Sequence, residues 1–368
     1  MKHSVKPLFI VALFWLIVLN PIWAGALEIT QVHTEPNQFF PEKGQQVSIY
    51  FRLSSAAQVS IKFYDGRDLL IRNIESSTLL PKGEHSIIWD GRDQSGQLVP
   101  PEAYHYIIQA VDSGGAQVEY DLTELTGGED LPVSDVSWDP VTSQIRYQLN
   151  KPARVNIRIG MQDNGPLLRT LLDWVVRGPG EHYEFWDGKD ASGVLDLKQH
   201  PKLDFGIDAF ALSENTLRVG NKVNQVMLID DMPWKIEKRI NKKRKKKRMH
   251  MHSQQSMETR GDFKVQLSLL ANQPKNANGL PIVDGIVPVR LDVDPKDKER
   301  ALARRFEPVF FVDGIFAFEN EVGFLPMTWR WDTRQTHPGE HFLTVNFRGY
   351  EGNFGMATIK VMVQRNKQ

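Results

Sequence analysis

The most distinctive side chains in the sequence form a basic run between Lys238 and Arg248. Nine of these eleven residues are lysine or arginine. Clustered cations release counterions when they bind a polyanion, so the run could bind anionic polysaccharide or lipopolysaccharide phosphates. The same composition repels itself and is typical of an extended linker, and both interpretations stay open. The candidate polyanion-binding residues are Lys242, Lys243, Arg244, Lys245, Lys246, Lys247 and Arg248.

Nucleic acid is not an expected partner of this run. Single-stranded nucleic acid is usually bound by basic residues interleaved with aromatic rings on which the bases stack. Only Trp234 lies near the run. We therefore expect any polyanion bound here to be a surface polymer.

Two other sets of polar side chains could bind a metal. Residues 249–252 read Met-His-Met-His, which are soft ligands suited to copper, although short tracts of this kind are common in linkers. Asp90, Asp93 and Ser95, with their copies Asp187, Asp190 and Ser192, could suggest calcium. Their spacing does not match a twelve-residue calcium loop, and capping of a turn accounts for every one of them. We expect no metal and no other cofactor.

Three histidines, His85, His182 and His341, each follow Gly-Glu at the start of a predicted strand. The same spacing in three separate segments is typical of a structural turn and not of three active sites. The sequence contains no nucleophile elbow, zinc-binding helix, phosphate-binding loop or dinucleotide fingerprint. We therefore expect no enzymatic activity.

Tryptophans offer a second kind of binding site, since exposed rings stack on sugars. Of the nine, Trp15 and Trp23 lie near the N-terminus, and Trp89, Trp186 and Trp331 occupy positions expected of core residues. The candidates for a glycan platform are Trp138, Trp174, Trp234 and Trp329.

A repeated element positions these side chains. The stretch from Gly83 to Gly96 reads Gly-Glu-His, then Trp-Asp-Gly-Arg-Asp-Gln-Ser-Gly, and it recurs from Gly180 to Gly193 with Trp-Asp-Gly-Lys-Asp-Ala-Ser-Gly. The offset between equivalent blocks drifts from 96 to 99 residues along the repeat. A period near 100 residues identifies one folding unit present twice.

The repeated blocks predict strands. Val59, Ile61 and Phe63 alternate with polar residues, as do Val155, Ile157 and Ile159 in the copy. Proline and glycine punctuate the runs where turns are required. Short alternating strands in units near 100 residues favour an all-β fold of tandem immunoglobulin- or fibronectin-III-like antiparallel sandwiches.

The repeated element, followed in the first copy by Val99-Pro100-Pro101 and an aromatic strand, resembles the Ig-like domain of the bacterial flagellar hook-capping family. The resemblance covers about residues 47 to 111 and 143 to 210, and in the second copy Asp196 to Pro201 replaces the Pro-Pro connection. It implies a structural and interaction module with no catalytic residue. It does not imply hook capping, because the N-terminal region of that family is not visible in this sequence.

A third sandwich of a different subtype is predicted at the C-terminus. Asp313-Gly314 lies between two apolar runs, which is a strong signal for a two-residue hairpin. Asp294-Pro295, followed by helix-forming residues, predicts a short N-capped helix. Here Trp331-Asp332 precedes Gly339-Glu340-His341, whereas in the first two units the order is reversed.

An export signal is predicted at the N-terminus. Lys2 and Lys6 precede an apolar run from Leu8 to Leu19 that is too short to span a bilayer, and small residues follow at 24–26. We expect cleavage after Ala26 and a location in the periplasm, on the outer surface or outside the cell. The uncleaved alternative would be a membrane anchor.

The sequence thus divides into a signal peptide (1–26), two hook-capping-type units (27–126 and 127–232), a basic linker (233–261) and a third unit (262–366). Its 45 basic and 45 acidic residues cancel. Without the signal and the basic run, 34 basic residues face 45 acidic ones, so the folded units are acidic. With no cysteine, the chain cannot form disulfides. We predict a non-enzymatic structural or adaptor protein that binds other envelope or extracellular proteins, or alternatively a module that binds surface glycan or an anionic polymer.

Overall fold

The computed structural model of the protein describes residues 26–66, 68–123, 125–220, 261–303, 305–349 and 352–365. These residues form six β-sheets with one short α-helix, which confirms the predicted all-β class. Residues 1–25 and 221–260, with nearly all of the expected export signal and basic linker, lie outside the described residues. In the described part of the chain no helix is long and apolar enough to cross a membrane.

Unit 1 is a sandwich of two sheets. Its strands are β1 (Ile29–Glu35), β2 (Gln38–Phe39), β3 (Val47–Leu53), β4 (Ala57–Tyr64), β5 (Leu70–Glu75), β6 (Gly83–Trp89), β7 (Ala103–Asp112) and β8 (Gln117–Tyr120), with a 3-10 turn at Pro41–Lys43. One sheet has the order β1-β3-β6, and the other contains β2, β7, β4 and β5 with β8 on the edge of β7. Strands β3 and β4 bury alternate residues, as their period of two predicts.

Unit 2 repeats this plan with fewer strands. It contains β9 (Ser134–Asp139), β10 (Gln144–Leu149), β11 (Ala153–Met161), β12 (Leu167–Arg177), β13 (Gly180–Phe185) and β14 (Leu203–Ala211). The two sheets have the orders β13-β10-β9 and β12-β11-β14.

The chain then returns to unit 1. Strand β15 (Thr216–Val219), which the sequence boundaries place in the second unit, pairs antiparallel with β7 and parallel with β2. Leu217 and Val219 are buried in the core of unit 1. Asn215, just before them, is fully buried. Its backbone carbonyl accepts from the Tyr106 amide, and its side-chain amide donates to the Tyr106 carbonyl. Unit 2 is therefore inserted between two segments of unit 1.

Each of the first two cores is built around the tryptophan of the repeat. Trp89 is fully buried and stacks on Phe63 with ring centroids 4.4 Å apart. Trp186 occupies the equivalent place in unit 2 and packs against Trp138 at 4.8 Å. Large rings between two sheets bury much apolar area and hold the sheets at a fixed separation.

Unit 3 has two sheets of unequal size. Its elements are β16 (Val265–Leu269), β17 (Ile282–Val283), β18 (Ile286–Val293), α1 (Pro295–Leu302), β19 (Phe306–Val312), β20 (Ile315–Glu319), β21 (Met327–Asp332), a 3-10 turn (Thr333–Gln335), β22 (Gly339–Gly349) and β23 (Phe354–Val363). The sheet orders are β16-β18-β21 and β17-β23-β22-β19-β20. The structure has the predicted hairpin, with Asp313 and Gly314 at positive φ, and the predicted helix, whose N-cap Asp294 accepts from the Lys296 amide.

Candidate interaction sites at the unit boundaries

The repeated turn has the same geometry in units 1 and 2. The indole Nε1 of Trp89 donates to the carbonyl of Arg92 at 2.9 Å, and that of Trp186 donates to the carbonyl of Lys189 at 2.9 Å. The core tryptophan therefore anchors the turn that follows it. The described residues contain no group of three or more metal-ligating side chains.

The carboxylates of this turn accept hydrogen bonds from its own backbone. Asp93 Oδ1 accepts from the amides of Ser95 and Gln97, both at 2.9 Å. Asp190 Oδ1 accepts from the amides of Val194 and Leu195 at 2.7 and 2.9 Å. These oxygens are occupied by turn amides, as expected for capping.

The three Gly-Glu-His elements are also turns. A ring nitrogen of each histidine lies 2.6–2.8 Å from a carbonyl oxygen four residues earlier, namely that of Pro81, Gly178 or His337. Gly83, Gly180 and Gly339 all have positive φ, which glycine adopts without strain. The repeated histidine closes the loop that leads into the strand, and the three rings lie in three separate units.

The described candidates for a glycan platform are not exposed. Trp174 is 8% exposed and lies against Phe210 at 4.8 Å. Trp138 and Trp329 are half-buried, and Trp329 stacks on Phe318. Trp234, the copper candidates Met249 to His252 and the polyanion candidates Lys242 to Arg248 lie outside the described residues.

One buried ionic cluster lies within unit 2. Arg177 forms a bidentate pair with Glu184 at 2.7 and 3.0 Å, and the Tyr147 hydroxyl donates to the same carboxylate at 3.0 Å. Burial raises the pKa of Tyr147, so its hydroxyl stays protonated as a donor. The donors and acceptors satisfy one another, which indicates a structural role between β12 and β13.

Units 1 and 2 are joined by a nearly buried ion pair. Arg154 on β11 contacts Glu102, at the start of β7, at 2.8 Å, and the two side chains are 13% and 12% exposed. The same guanidinium lies 3.4 Å from the carbonyl of Trp174. On the return segment, the Glu214 amide donates to Thr126 Oγ1. The chain also passes twice between the units, once into unit 2 and once back to β15 in unit 1. Together with these two connections, the contacts hold unit 2 against unit 1.

Units 2 and 3 are joined by the side-chain amide of Asn346, which makes the two hydrogen bonds that the backbone of a neighbouring strand would make. Asn346 on β22 accepts from the Leu167 amide at 2.8 Å and donates to the Leu167 carbonyl at 2.6 Å. Residues Leu343 to Phe347 are buried without alternation, because unit 2 covers the face that would otherwise meet solvent. Phe342 packs against the core of unit 2.

A second polar group at this junction includes the half-buried carboxyl of Asp262. Arg158 on β11 donates to the carbonyl of Gly352 at 2.7 Å and stacks over Phe354 at 4.3 Å. Asp173 on β12 accepts from the Gly261 amide. Asp262 accepts from the Phe354 amide at 3.0 Å, and burial, reinforced by the charge of Asp173, raises its pKa to about 6.

The Ser residue of the repeated turn has diverged between the two units. In unit 1 the Ser95 hydroxyl donates to Asp93 at 2.8 Å, within its own turn. In unit 2 the Ser192 hydroxyl instead accepts from the Thr358 amide of β23 at 2.8 Å. Turn capping, the role that the sequence predicts for Ser192, does not include this contact between units.

The candidate residues that the sequence predicts do not include Asn346, Arg158 or Asp262. Asn346 alternates with Val345 and Phe347, as a solvent-facing polar residue would. Its only distinguishing signal is an amide at the centre of a long apolar strand, a type that strands usually disfavour.

A comparison with protein families agrees with the Ig-like fold of unit 1. The model of the FlgD Ig-like domain family matches residues 37–114. A comparison with curated protein sequences found no match.

Three of the solved structures that match share little sequence identity with this chain. FlgD from P. aeruginosa shares 24% identity over 20% of this chain and 56% of its own, with a TM-score of 0.19, so the match spans little more than half of that structure. Fibronectin(III)-like modules of Clostridium thermocellum CbhA share 12% identity over 92% of this chain and 94% of theirs, with a TM-score of 0.20. A bacterial ice-binding adhesin shares 12% over 93% of this chain and 99% of its own, with a TM-score of 0.18. The resemblance predicted from the Trp-Asp-Gly element is confirmed: residues 37–114 match the FlgD Ig-like domain family.

Proposed function

We propose that the protein is an exported, non-enzymatic adaptor that presents the faces of three β-sandwiches, held in one arrangement, to partner proteins of the cell envelope or its exterior. The observation that carries the proposal is the pair of junctions between units. Arg154 with Glu102 and Asn346 with Leu167 place polar side chains at buried positions where they join neighbouring units. Such contacts suit a scaffold whose units must keep a fixed arrangement.

A repeated exposed residue supports the adaptor role. Ile88 precedes Trp89 and is 55% exposed, and Phe185 precedes Trp186 and is 62% exposed. Ile88 lies on the outer face of sheet β1-β3-β6, and Phe185 lies on the outer face of the equivalent sheet β13-β10-β9. Two equivalent units thus present a large apolar residue at the same position, which is a common feature of protein interfaces.

Site-specific photo-crosslinking in the source bacterium tests this proposal. A photoreactive phenylalanine replaces Ile88 or Phe185, and the matched control replaces Gln58, which is exposed on the opposite sheet of unit 1. We expect discrete adducts with envelope proteins at one or both of the first two positions and none at the control. The adaptor role is contradicted if all three positions give the same background.

The predicted export is tested separately. A periplasmic reporter enzyme fused after residue 26 should be active outside the cytoplasm and should lose its signal peptide on maturation. Retention in the cytoplasm would contradict the proposed location.

The charge distribution favours one alternative function, which is binding of an anionic polymer by the basic run. The run has nine basic residues and no acidic one, whereas the rest of the chain after residue 26 has 34 basic and 45 acidic residues. Binding to immobilised lipopolysaccharide should then be lost when Lys242 to Arg248 are replaced by Gly and Ser. Binding that survives the replacement excludes the run as its cause.

A further inference from the structure

Strand β23 has a gap along the edge that faces away from β22. At one end of this edge, Gly355 bridges with Phe263, and at the other, Met362 and Val363 pair with β17. Between these points, from Met356 to Val361, no strand of the described residues pairs with β23 on that side. An unpaired stretch inside an otherwise completed edge is a site where an additional strand can pair.

The backbone groups in the gap have a defined direction. The Phe354 amide donates to Asp262, the Thr358 amide to Ser192 Oγ and the Met362 amide to the Pro281 carbonyl, so the even-numbered residues point away from β22. In an antiparallel ladder this direction alternates with every residue. The amide and carbonyl of Lys360 therefore also point into the gap.

An open cleft of about 570 Å³ lies along this gap. The outer edge of β16 and the following loop form its far wall, and Val194 of unit 2 lies at its rim. Leu269, Leu280 and Ile359 give it apolar walls, and no acidic residue lies in the lining. The ammonium of Lys360 pairs with Glu340 at 2.7 Å, so Lys275 supplies the positive charge of the cleft. The volume is that of an ordinary ligand pocket, and it combines an apolar floor with positive charge and unpaired backbone.

We propose that this cleft binds an extended acidic peptide segment of a partner protein, which adds as a strand to the free edge of β23. Backbone hydrogen bonds to Lys360 supply part of the affinity. Apolar side chains of the peptide occupy the space between Leu269, Leu280 and Ile359, and a carboxylate of the peptide pairs with Lys275. The proposal rests on the adaptor role, and it specifies the chemistry of one partner contact.

The position of Ser192 makes binding sensitive to the contact between units 2 and 3. Its hydroxyl accepts from the Thr358 amide, which points into the gap as the Lys360 amide does. A peptide that reaches Thr358 must displace that hydroxyl, so removal of the hydroxyl should strengthen peptide binding. The turn of unit 2 that carries Ser192 thereby competes with the incoming strand.

Fluorescence anisotropy with the purified full chain tests the proposal with three labelled probes. The first is acetyl-Val-Thr-Val-Thr-Glu-Glu-amide, the second has Lys in place of both Glu, and the third is the first probe with N-methylated amides at alternate residues. We expect the first probe to bind at least about tenfold more tightly than either of the others, because they lack the charge or the strand hydrogen bonds.

Variants of the protein supply the matched controls. Lys275→Glu should weaken binding of the first probe by about tenfold or more, Lys296→Glu on α1 should leave it unchanged, and Ser192→Ala should strengthen it. Lys275 and Lys296 are both exposed, so both charge changes should preserve the fold, which circular dichroism verifies. Equal binding of the three probes, no binding up to about 1 mM, or insensitivity to Lys275→Glu overturns the proposal. If crosslinks at Ile88 and Phe185 persist in that case, only this inference fails and the adaptor role stands.

Discussion

Replacement of Asp262 by Asn should stabilise the protein near neutral pH. Burial and the neighbouring Asp173 raise the pKa of Asp262 from 3.8 to about 6, while the Thr170 hydroxyl, the Phe354 amide and Arg158 act in the opposite direction. Arg300, which donates to the carbonyl of Gly261 and pairs with Asp297, also lies near this part of the chain. Asn keeps an acceptor oxygen for the Phe354 amide and removes the ionisable group.

The sign of the expected stability change follows from the direction of the pKa shift of Asp262. Below pH 3.8 both the folded and the unfolded chain hold the proton, so Asp262 has no effect. As the pH rises, the unfolded chain releases its proton first and is thereby favoured, and the destabilisation of the folded form becomes complete above the folded pKa of about 6. A shift of this size corresponds to about 3 kcal/mol at pH 7.5 and to about 1 kcal/mol at pH 4.5.

Urea unfolding of the full chain, followed by tryptophan fluorescence, measures the difference between variant and wild type at the two pH values. We expect Asp262→Asn to be more stable by about 3 kcal/mol at pH 7.5 and by about 1 kcal/mol at pH 4.5. Asp208→Asn, at an exposed position of β14, serves as the control and should follow the wild type. A gain that does not depend on pH, or a variant less stable than wild type at pH 7.5, would refute the reasoning.

Three further predictions concern the junctions. Asn346→Ala leaves the half-buried amide and carbonyl of Leu167 without the Asn346 partner, so stability should fall by about 2 kcal/mol in the same urea assay; a loss below about 0.5 kcal/mol would contradict the strand-like role. Ser192→Ala should increase hydrogen exchange at the Thr358 amide, whereas Ser95→Ala, whose hydroxyl bonds within its own turn, should not; equal effects would show that the two turns have not diverged. A fragment of residues 26–220 should unfold cooperatively, whereas 26–211, which lacks β15, should lose unit 1 first or fail to fold; equal melting temperatures would show that β15 is dispensable.

Sequence patterns predicted those features that depend on neighbouring residues. The alternation around Ile61 and Ile157 is produced by one buried sheet face. Asp313-Gly314 adopts the positive φ angles that its residue types favour, and Asp294 caps the helix that Pro295 begins. Trp89 and Trp186 are core residues, since a large ring at the end of an apolar strand is usually buried.

The return of the chain to unit 1 could not be predicted in this way. Strand β15 has four residues, and its Thr-Leu-Arg-Val alternation is too short to distinguish from chance. Its pairing with β7 joins residues more than 100 positions apart, which no local pattern encodes. The predicted linker and its charged residues lie outside the described part, so their role stays a prediction.

The junction between units 2 and 3 could not be predicted from the sequence for a different reason. Polar residues such as Asn346 and Thr358 occupy outward positions of their strands, where a sandwich normally meets water. Only the burial of both faces of β22 and β23 reveals that another unit covers them.

The pairing of β15 with β7 also determines how tension would travel through the molecule. A chain pulled at residue 26 and at residue 220 is loaded across unit 1, where β1 and β15 belong to the same sandwich. Because β15 is held to β7 and β2, the inserted unit lies in a closed loop and bears no tension until β15 detaches. In a stretching experiment unit 2 should therefore extend only after unit 1 has opened, so the adaptor would resist force as one mechanical element and not as a string of independent domains.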